Sequence, residues 1–300
     1  MIPNGLHHIT CVTVDARACV DFYTRLLGLR LVKRTVNQDV PDVWHLFFGD
    51  DSASPGMDLT FFEFRGLPKG VPGHGAAHTV RWRVDSGEAL DFWERRLAAH
   101  GVASERDDDL LRFADHEGLG HELIVDSSGD DPLTSTAPEI PDEFALLGFD
   151  GVRAHSVDPE RSADLLRQIL GLAGEGRIAE GKGVTRSGRV IFDQAPETHH
   201  QQGAGSTHHI AWTAFGGDGE LEDWRLRIAN LGLRPTPMID RFWFHSVYFR
   251  GPDGILHEFA TPEPGFTVDE PLESLGQKLV LPPKFEAHRA EIEQRLTRID

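Results

Sequence analysis

Two His-His-Ile tripeptides occur in the chain, in Leu6-His7-His8-Ile9-Thr10 and in Thr207-His208-His209-Ile210-Ala211. A third segment, Leu256-His257-Glu258-Phe259, follows the second copy. Two neutral imidazoles and one carboxylate hold a divalent metal on one face and leave the opposite face open. Side chains on a strand alternate between faces, so one imidazole of each pair enters a shared cleft and the other does not. The residue before Ile opens the regular alternation in both copies, which assigns His8 and His209 as ligands with Glu258 as the third. A lone histidine on a sheet is more often a structural residue. Two at equivalent strand starts, with a glutamate ending a last strand, point instead to a metal-dependent enzyme.

The elements that must position these residues are repeated. Residues 8–29 overlay residues 151–172 without a gap, matching Val14, Asp15, Asp21, Leu27, Gly28 and Leu29 to Val157, Asp158, Asp164, Leu170, Gly171 and Leu172. Each copy reads as a strand, an Asp N-cap, an amphipathic helix and a Gly C-cap. Two weaker copies begin at His78-Thr79-Val80-Arg81-Trp82 and His208-His209-Ile210-Ala211-Trp212. The pattern predicts an α+β fold of four βαβββ modules, over 5–65, 74–127, 148–194 and 206–262, that form two half-open barrels. Residues 1–127 hold the first pair in sequence, 128–147 a Pro-, Ser- and Asp-rich linker, and 148–262 the second pair. Residues 263–300 form a tail ending in a helix (284–298) whose Phe285, Ile292 and Leu296 pack back on a module.

At the ligand positions the second and third modules carry Thr79 and Gly151, so only the first and fourth modules carry a site. Ligands of one ion lie within about 2–2.3 Å of it. The first and fourth modules are therefore expected to share one barrel, and the second and third the other.

Composition excludes other classes. The formal net charge of −18 argues against nucleic acid or an anionic membrane as partner. The only two cysteines, Cys11 and Cys19, argue against a disulfide framework and read as reduced, packed side chains. With no visible signal peptide and no membrane-length apolar run, the chain reads as cytoplasmic. His199 and His200 lie in a polar loop and read as surface residues. His45, His74, His121 and His155 have no evident partner and read as structural or solvated.

The module pattern resembles the vicinal oxygen chelate (glyoxalase/bleomycin resistance/extradiol dioxygenase) superfamily. Within it the chain is similar to ring-cleaving dioxygenases related to hydroquinone 1,2-dioxygenases. The resemblance rests on nine segments in order: Gly5–Thr10, Val32–Asn37, His45–Gly49, Leu59–Phe62, His208–Ala211, Asp240-Arg241, Ser246–Arg250, Gly254–Phe259 and Leu281–Pro283. It implies Fe(II), with Mn(II) as the alternative, held by His8, His209 and Glu258, and O2-dependent cleavage of a small hydroxylated aromatic. Its outer positions fall on His7, Thr10, His208, Arg241 and Tyr248. Arg241 would hold an anionic substrate oxygen against the acidic field of the chain. Tyr248 would hydrogen-bond that oxygen or relay a proton, and His208 would serve as acid or base. Phe242, Trp243 and Phe244 are candidates to line a ring-shaped pocket. Oligomeric state stays open, a homo-oligomer included.

Glu63 departs from this pattern, closing the first module where Glu258 closes the fourth. Were it to face the metal, the set of two His and two Glu would resemble glyoxalase I, a Zn- or Ni-dependent isomerase. A second alternative is a non-catalytic protein that sequesters a small molecule in the cleft.

Overall fold

The computed structural model describes residues 1–299. The first module comprises β1 (Leu6–Thr13), a helix, β2 (Arg30–Asn37), β3 (Val40–Gly49) and β4 (Asp58–Glu63). Its helix is α-helical over Ala16–Val20 (α1) and continues as a π-helical turn over Asp21–Leu26. The second comprises β5 (Ala76–Val84), α2 (Gly87–Ala99), β6 (Ser104–Asp107), β7 (Leu110–Ala114) and β8 (Gly120–Val125). The third comprises β9 (Phe149–Ser156), α3 (Pro159–Leu170), β10 (Ile178–Lys182) and β11 (Ser187–Gln194), so two strands follow its helix. The fourth comprises β12 (Ser206–Thr213), α4 (Gly217–Asn230), the short β13 (Ile239–Asp240), β14 (Phe244–Arg250) and β15 (Leu256–Pro264).

Local chemistry accounts for the helix boundaries. Asp15 and Asp158 cap their helices, accepting from the backbone N–H of Ala18 and Arg161. Gly28 and Gly171 end them at φ of 73° and 71°, a left-handed conformation open to glycine without strain. Cys11 and Cys19 are free and buried.

The strands form two sheets. One runs β13-β14-β15-β12-β1-β4-β3-β2 and joins the fourth module to the first, and the other runs β10-β11-β9-β5-β8-β7-β6 and joins the third to the second. β1 and β12 meet antiparallel at the seam of the first barrel, with Ile9 opposite Ile210 and Thr10 opposite His209. β4 and β15 flank that seam as parallel partners of β1 and β12.

The register corrects one sequence reading. Ala211 pairs with Glu258, and its counterpart Thr10 pairs with Thr60. Thr60, not Glu63, therefore occupies the position equivalent to Glu258. Glu63 lies three residues on, facing the other way, as the period of two requires. Its Oε1 accepts from the N–H of Ala16 at 3.0 Å and its Oε2 from Thr297 Oγ1 at 2.6 Å, so it caps α1 and anchors the tail.

In the second barrel Arg81 pairs with Glu122 as Ala211 pairs with Glu258. Glu122 keeps the carboxylate position, and arginines neutralise it: Arg81 Nε at 2.8 Å, Arg112 Nε at 3.1 Å and Arg153 at 3.4 Å. Guanidinium groups occupy the space where the other barrel directs imidazoles. His121 also acquires a role, accepting from Trp82 Nε1 at 3.1 Å as His257 accepts from Trp212 Nε1 at 3.2 Å.

The tail helix is shorter than expected. Pro283–His288 form a 3₁₀ turn and only Arg289–Arg295 are α-helical (α5). Ile292 is buried against Val36 and Leu281, with Phe285 and Leu296 alongside. No helix of the described residues is long and apolar enough to cross a membrane.

Asp58, opposite His8 in β4, is 1% exposed, and its Oδ1 has no hydrogen-bond partner. Burial, then the charge of Asp50, raise its pKa well above the ordinary 3.8. A raised folded-state pKa means that stability is lost as pH climbs from the unfolded value through the folded one. Asp58→Asn is expected to stabilise the chain at neutral pH by about 1–3 kcal/mol, the cost of an unsatisfied buried group. Denaturant melts from pH 4 to pH 8 test this; the gain should vanish at the acid end.

Candidate metal centre and active site

The structure brings His8, His209 and Glu258 together from three adjacent strands. His8 Nε2 lies 3.1 Å from His209 Nε2 and 3.2 Å from Glu258 Oε2, and His209 Nε2 lies 2.9 Å from the same oxygen. Three donors about 2.1 Å from one ion, along perpendicular directions, stand about 3 Å apart. The triangle has the size of one face of an octahedral divalent site. Glu258 is fully buried, and its Oε2 meets no hydrogen-bond donor. A buried carboxylate oxygen left bare beside two ring nitrogens fits a metal ion. Burial pushes the Glu258 carboxyl up, and the neighbouring His8 and His209 outweigh it, holding its pKa well below the usual range.

The other carboxylate oxygen, Oε1, accepts from Ser246 Oγ at 2.5 Å. Ser246 is fully buried on β14 and was not among the residues singled out by sequence. Outer partners that orient ligands change metal affinity by roughly 10–100-fold when removed. Ser246→Ala is expected to weaken metal binding within that range without unfolding the chain, as read by metal titration and thermal melting.

The other histidine of each pair, His7 or His208, stands behind its ligand. His7 Nε2 lies 3.1 Å from the carbonyl oxygen of Thr261, an acceptor only, so this nitrogen carries the proton. Burial, then the charge of His8, lower the His7 pKa to about 3, so the ring is neutral. Its Nδ1 is then a bare acceptor for His8 Nδ1–H at 3.0 Å. That hydrogen bond leaves the His8 Nε2 lone pair directed into the triangle. His208 and His209 repeat the Nδ1 to Nδ1 contact at 2.8 Å. Burial, then His209, lower the His208 pKa to about 3, which keeps it neutral at physiological pH. Its Nδ1 contact supports the ligand His209.

In front of the triad lies a narrow cleft, about 390 Å³ when the solvent space at its mouth is included. Phe47, Phe62, Trp243 and Phe244 supply apolar walls. Phe242 turns away at φ 72° and borders a different surface hollow. Arg241 and Tyr248 both line the cavity. The Arg241 guanidinium lies 5.5 Å from the centre of the Tyr248 ring and is held by Asp39 through two contacts of 3.1 Å. Burial and the nearby Glu258 charge raise the Tyr248 pKa above its ordinary value, so it stays a proton donor.

His45 also lines this cavity, contrary to its sequence reading as structural or solvated. Of the remaining histidines, His199 is exposed, while His200 is half-buried and bonded to the carbonyl of Val71. His74 and His155 lie outside the site, His155 stacked on His78 with ring centres 3.9 Å apart.

Paired βαβ-based units that close on an imidazole–carboxylate triad define a vicinal oxygen chelate protein. The profile of the Glyoxalase/Bleomycin resistance protein/Dioxygenase superfamily matches residues 5–118. The chain is 40% identical to "Putative ring-cleaving dioxygenase MhqO" of Bacillus subtilis (strain 168), covering 97% of this chain and 95% of that one. It is 31% identical to "Chlorohydroquinone/hydroquinone 1,2-dioxygenase" of Sphingobium indicum, covering 96% and 94% respectively. A crystal structure of a "putative dioxygenase" from Bacillus subtilis superposes with a TM-score of 0.91 at 37% identity, over all of this chain and 98% of that one. Glyoxalase I from Zea mays shares the fold alone, at a TM-score of 0.60 and 16% identity, over 86% of this chain and 92% of that one. The chain belongs to the ring-cleaving dioxygenase family of this superfamily.

Proposed function

We propose that the chain is an Fe(II)-dependent, extradiol-type ring-cleaving dioxygenase that acts with O2 on a hydroquinone- or catechol-like aromatic. The observation that carries this reading is the buried triangle of His8, His209 and Glu258 facing an aromatic-walled cavity. When bound, iron supplies one-electron chemistry toward O2 and a positive charge that favours the phenolate form of the substrate. Mn(II) is the second candidate for the same donor set.

The chain's own residues do the rest. Glu258 and two neutral imidazoles leave a divalent ion one net positive charge. Phe47, Phe62 and Phe244 orient a ring and exclude water. Arg241 offers a fixed cation for a substrate oxygen, with Asp39 holding its fork in place. Tyr248 keeps its proton and donates it as a hydrogen bond at the same end of the cavity. Thr10, two residues along β1 from His8, points to the same face. Capture of Glu63 by α1 and Thr297 removes the fourth carboxylate on which the glyoxalase alternative depended. The cytoplasm is the proposed compartment, on the strength of the two free buried thiols.

The test is anaerobic reconstitution with Fe(II), followed by oxygen uptake with a panel of hydroquinones and catechols. The reading predicts uptake with at least one of them. Bound iron with no uptake for any ring would sink it.

A further inference from the structure

One buried polar chain reaches the cavity wall at His45 and is unused by the reading above. His45 Nε2 lies 3.0 Å from Thr60 Oγ1, and Thr60 Oγ1 lies 2.8 Å from Thr10 Oγ1. Thr60 holds the position equivalent to Glu258, so the spot that would give a second carboxylate instead carries a hydroxyl linking two neighbours. Phe47 and Phe62 hold the His45 ring at centroid distances of 4.0 and 4.4 Å. With Nε2 committed to Thr60, Nδ1 is the ring nitrogen left for a ligand, and the residue lines the same cavity as the triad.

The spacing decides what His45 can meet. The strands run β15-β12-β1-β4-β3, with Glu258, His209, His8, Thr60 and His45 on one concave face. β3 lies two strands from β1, and His45 opposes Phe62 where His8 opposes Asp58, so the two histidines are also offset by four residues along the sheet while lining one cavity. That is too far for His45 to join the triad, and it suits a single ring held by the metal at one oxygen and by His45 at a second oxygen across the ring. A catechol directs both oxygens to the metal and leaves His45 without a partner.

We propose that His45, fixed in orientation by Thr60 and Thr10, is a specificity-determining residue that hydrogen-bonds the distal hydroxyl of a para-dihydroxylated ring. This rests on the function proposed above and selects hydroquinones over catechols within it. The chain Thr10–Thr60–His45 carries a hydrogen bond in either direction, so Nδ1 can accept from that hydroxyl or donate to it.

The experiment is anaerobic equilibrium binding to the Fe(II)-loaded protein, followed by tryptophan fluorescence. The ligands are hydroquinone, 4-methylphenol (a methyl in place of the distal hydroxyl) and catechol. The wild-type chain is expected to prefer hydroquinone over 4-methylphenol by about tenfold, the value of one buried hydrogen bond. His45→Phe should reduce that preference to within about twofold and should weaken catechol less than it weakens hydroquinone. Thr60→Val should reduce it in part and Thr60→Ser should restore it. The Thr60 pair also carries the test if His45→Phe does not fold. Preference retained in His45→Phe and Thr60→Val, or equal loss of all three ligands, overturns the assignment. A wild-type protein that binds none of the three contradicts the proposed function itself, and one that binds them without preference contradicts only this inference.

Discussion

Glu258→Gln is expected to abolish metal-dependent activity while leaving the fold in place. The substitution keeps the side-chain shape and the Oε1 contact from Ser246, at 2.5 Å in the native chain. What it removes is the only negative charge of the triad. A neutral amide binds a divalent ion far less well than a carboxylate, and the change strikes a ligand directly. The loss of Fe(II) affinity should therefore exceed the roughly 10–100-fold seen for outer partners. Oxygen uptake should fall by about 10³-fold or more, since several kcal/mol of charge stabilisation at the reaction depend on the ion. A thermal readout separates binding from folding. At a metal concentration of 100 times Kd, the wild-type chain gains about 2.7 kcal/mol of stability. The variant should show no such gain, yet melt close to the wild type in the absence of metal. A variant that still gains stability from Fe(II) would remove Glu258 from the ligand set.

Lys33→Met is expected to destabilise the chain by about 3–5 kcal/mol, the range for removing one partner of a buried ion pair. Lys33 is fully buried on β2 and pairs with Glu270, itself 2% exposed, and with Asp269 at 2.9 Å. It also donates to the carbonyl of Phe266 at 3.1 Å and lies 5.3 Å from the Trp243 ring centre. Without the ammonium, Glu270 becomes a buried charge with no counter-ion. The damage should extend to the site. Asp269 accepts from Trp243 Nε1 at 3.1 Å, and Trp243 is a wall of the cavity. A rise in KM larger than the fall in kcat is the expected signature. Adding Glu270→Gln to Lys33→Met should recover more than half of the lost stability, measured by denaturant unfolding. A loss below about 1 kcal/mol, the ceiling for an exposed pair, would mean that the tail is not held by this charge.

Legibility in the sequence followed locality. The doubled His-His-Ile and the gapless overlay of residues 8–29 on 151–172 are contiguous patterns, and they sufficed to anticipate that the first and last modules share a sheet. The face of Glu63 stayed open in the sequence: Glu63 ends β4, whereas Glu258 is the third residue of β15. Register decides equivalence, and a three-residue offset from Thr60 puts the side chain on the opposite face. Ser246 and His45 act across strand neighbours that alternation cannot name in advance. Within Val-Lys-Arg-Thr-Val-Asn, Lys33 looks like a surface residue of an amphipathic strand. Its burial depends on Phe266, Asp269 and Glu270, more than two hundred positions away. The two His-His pairs are a mixed case. Alternation identified which imidazole enters the cleft, but the neutral state of His7 and His208 depends on how deeply the seam is buried.

The central claim is that the triad supports insertion of both atoms of O2 into an aromatic ring. The most direct measurement is the mass of the product formed from hydroquinone by the Fe(II)-loaded chain, together with oxygen consumed per ring. The account predicts a ring-opened product heavier than the substrate by two oxygen atoms, with one O2 used for each ring. A product isomeric with the substrate, or oxygen consumption that only converts hydroquinone to quinone, would contradict it.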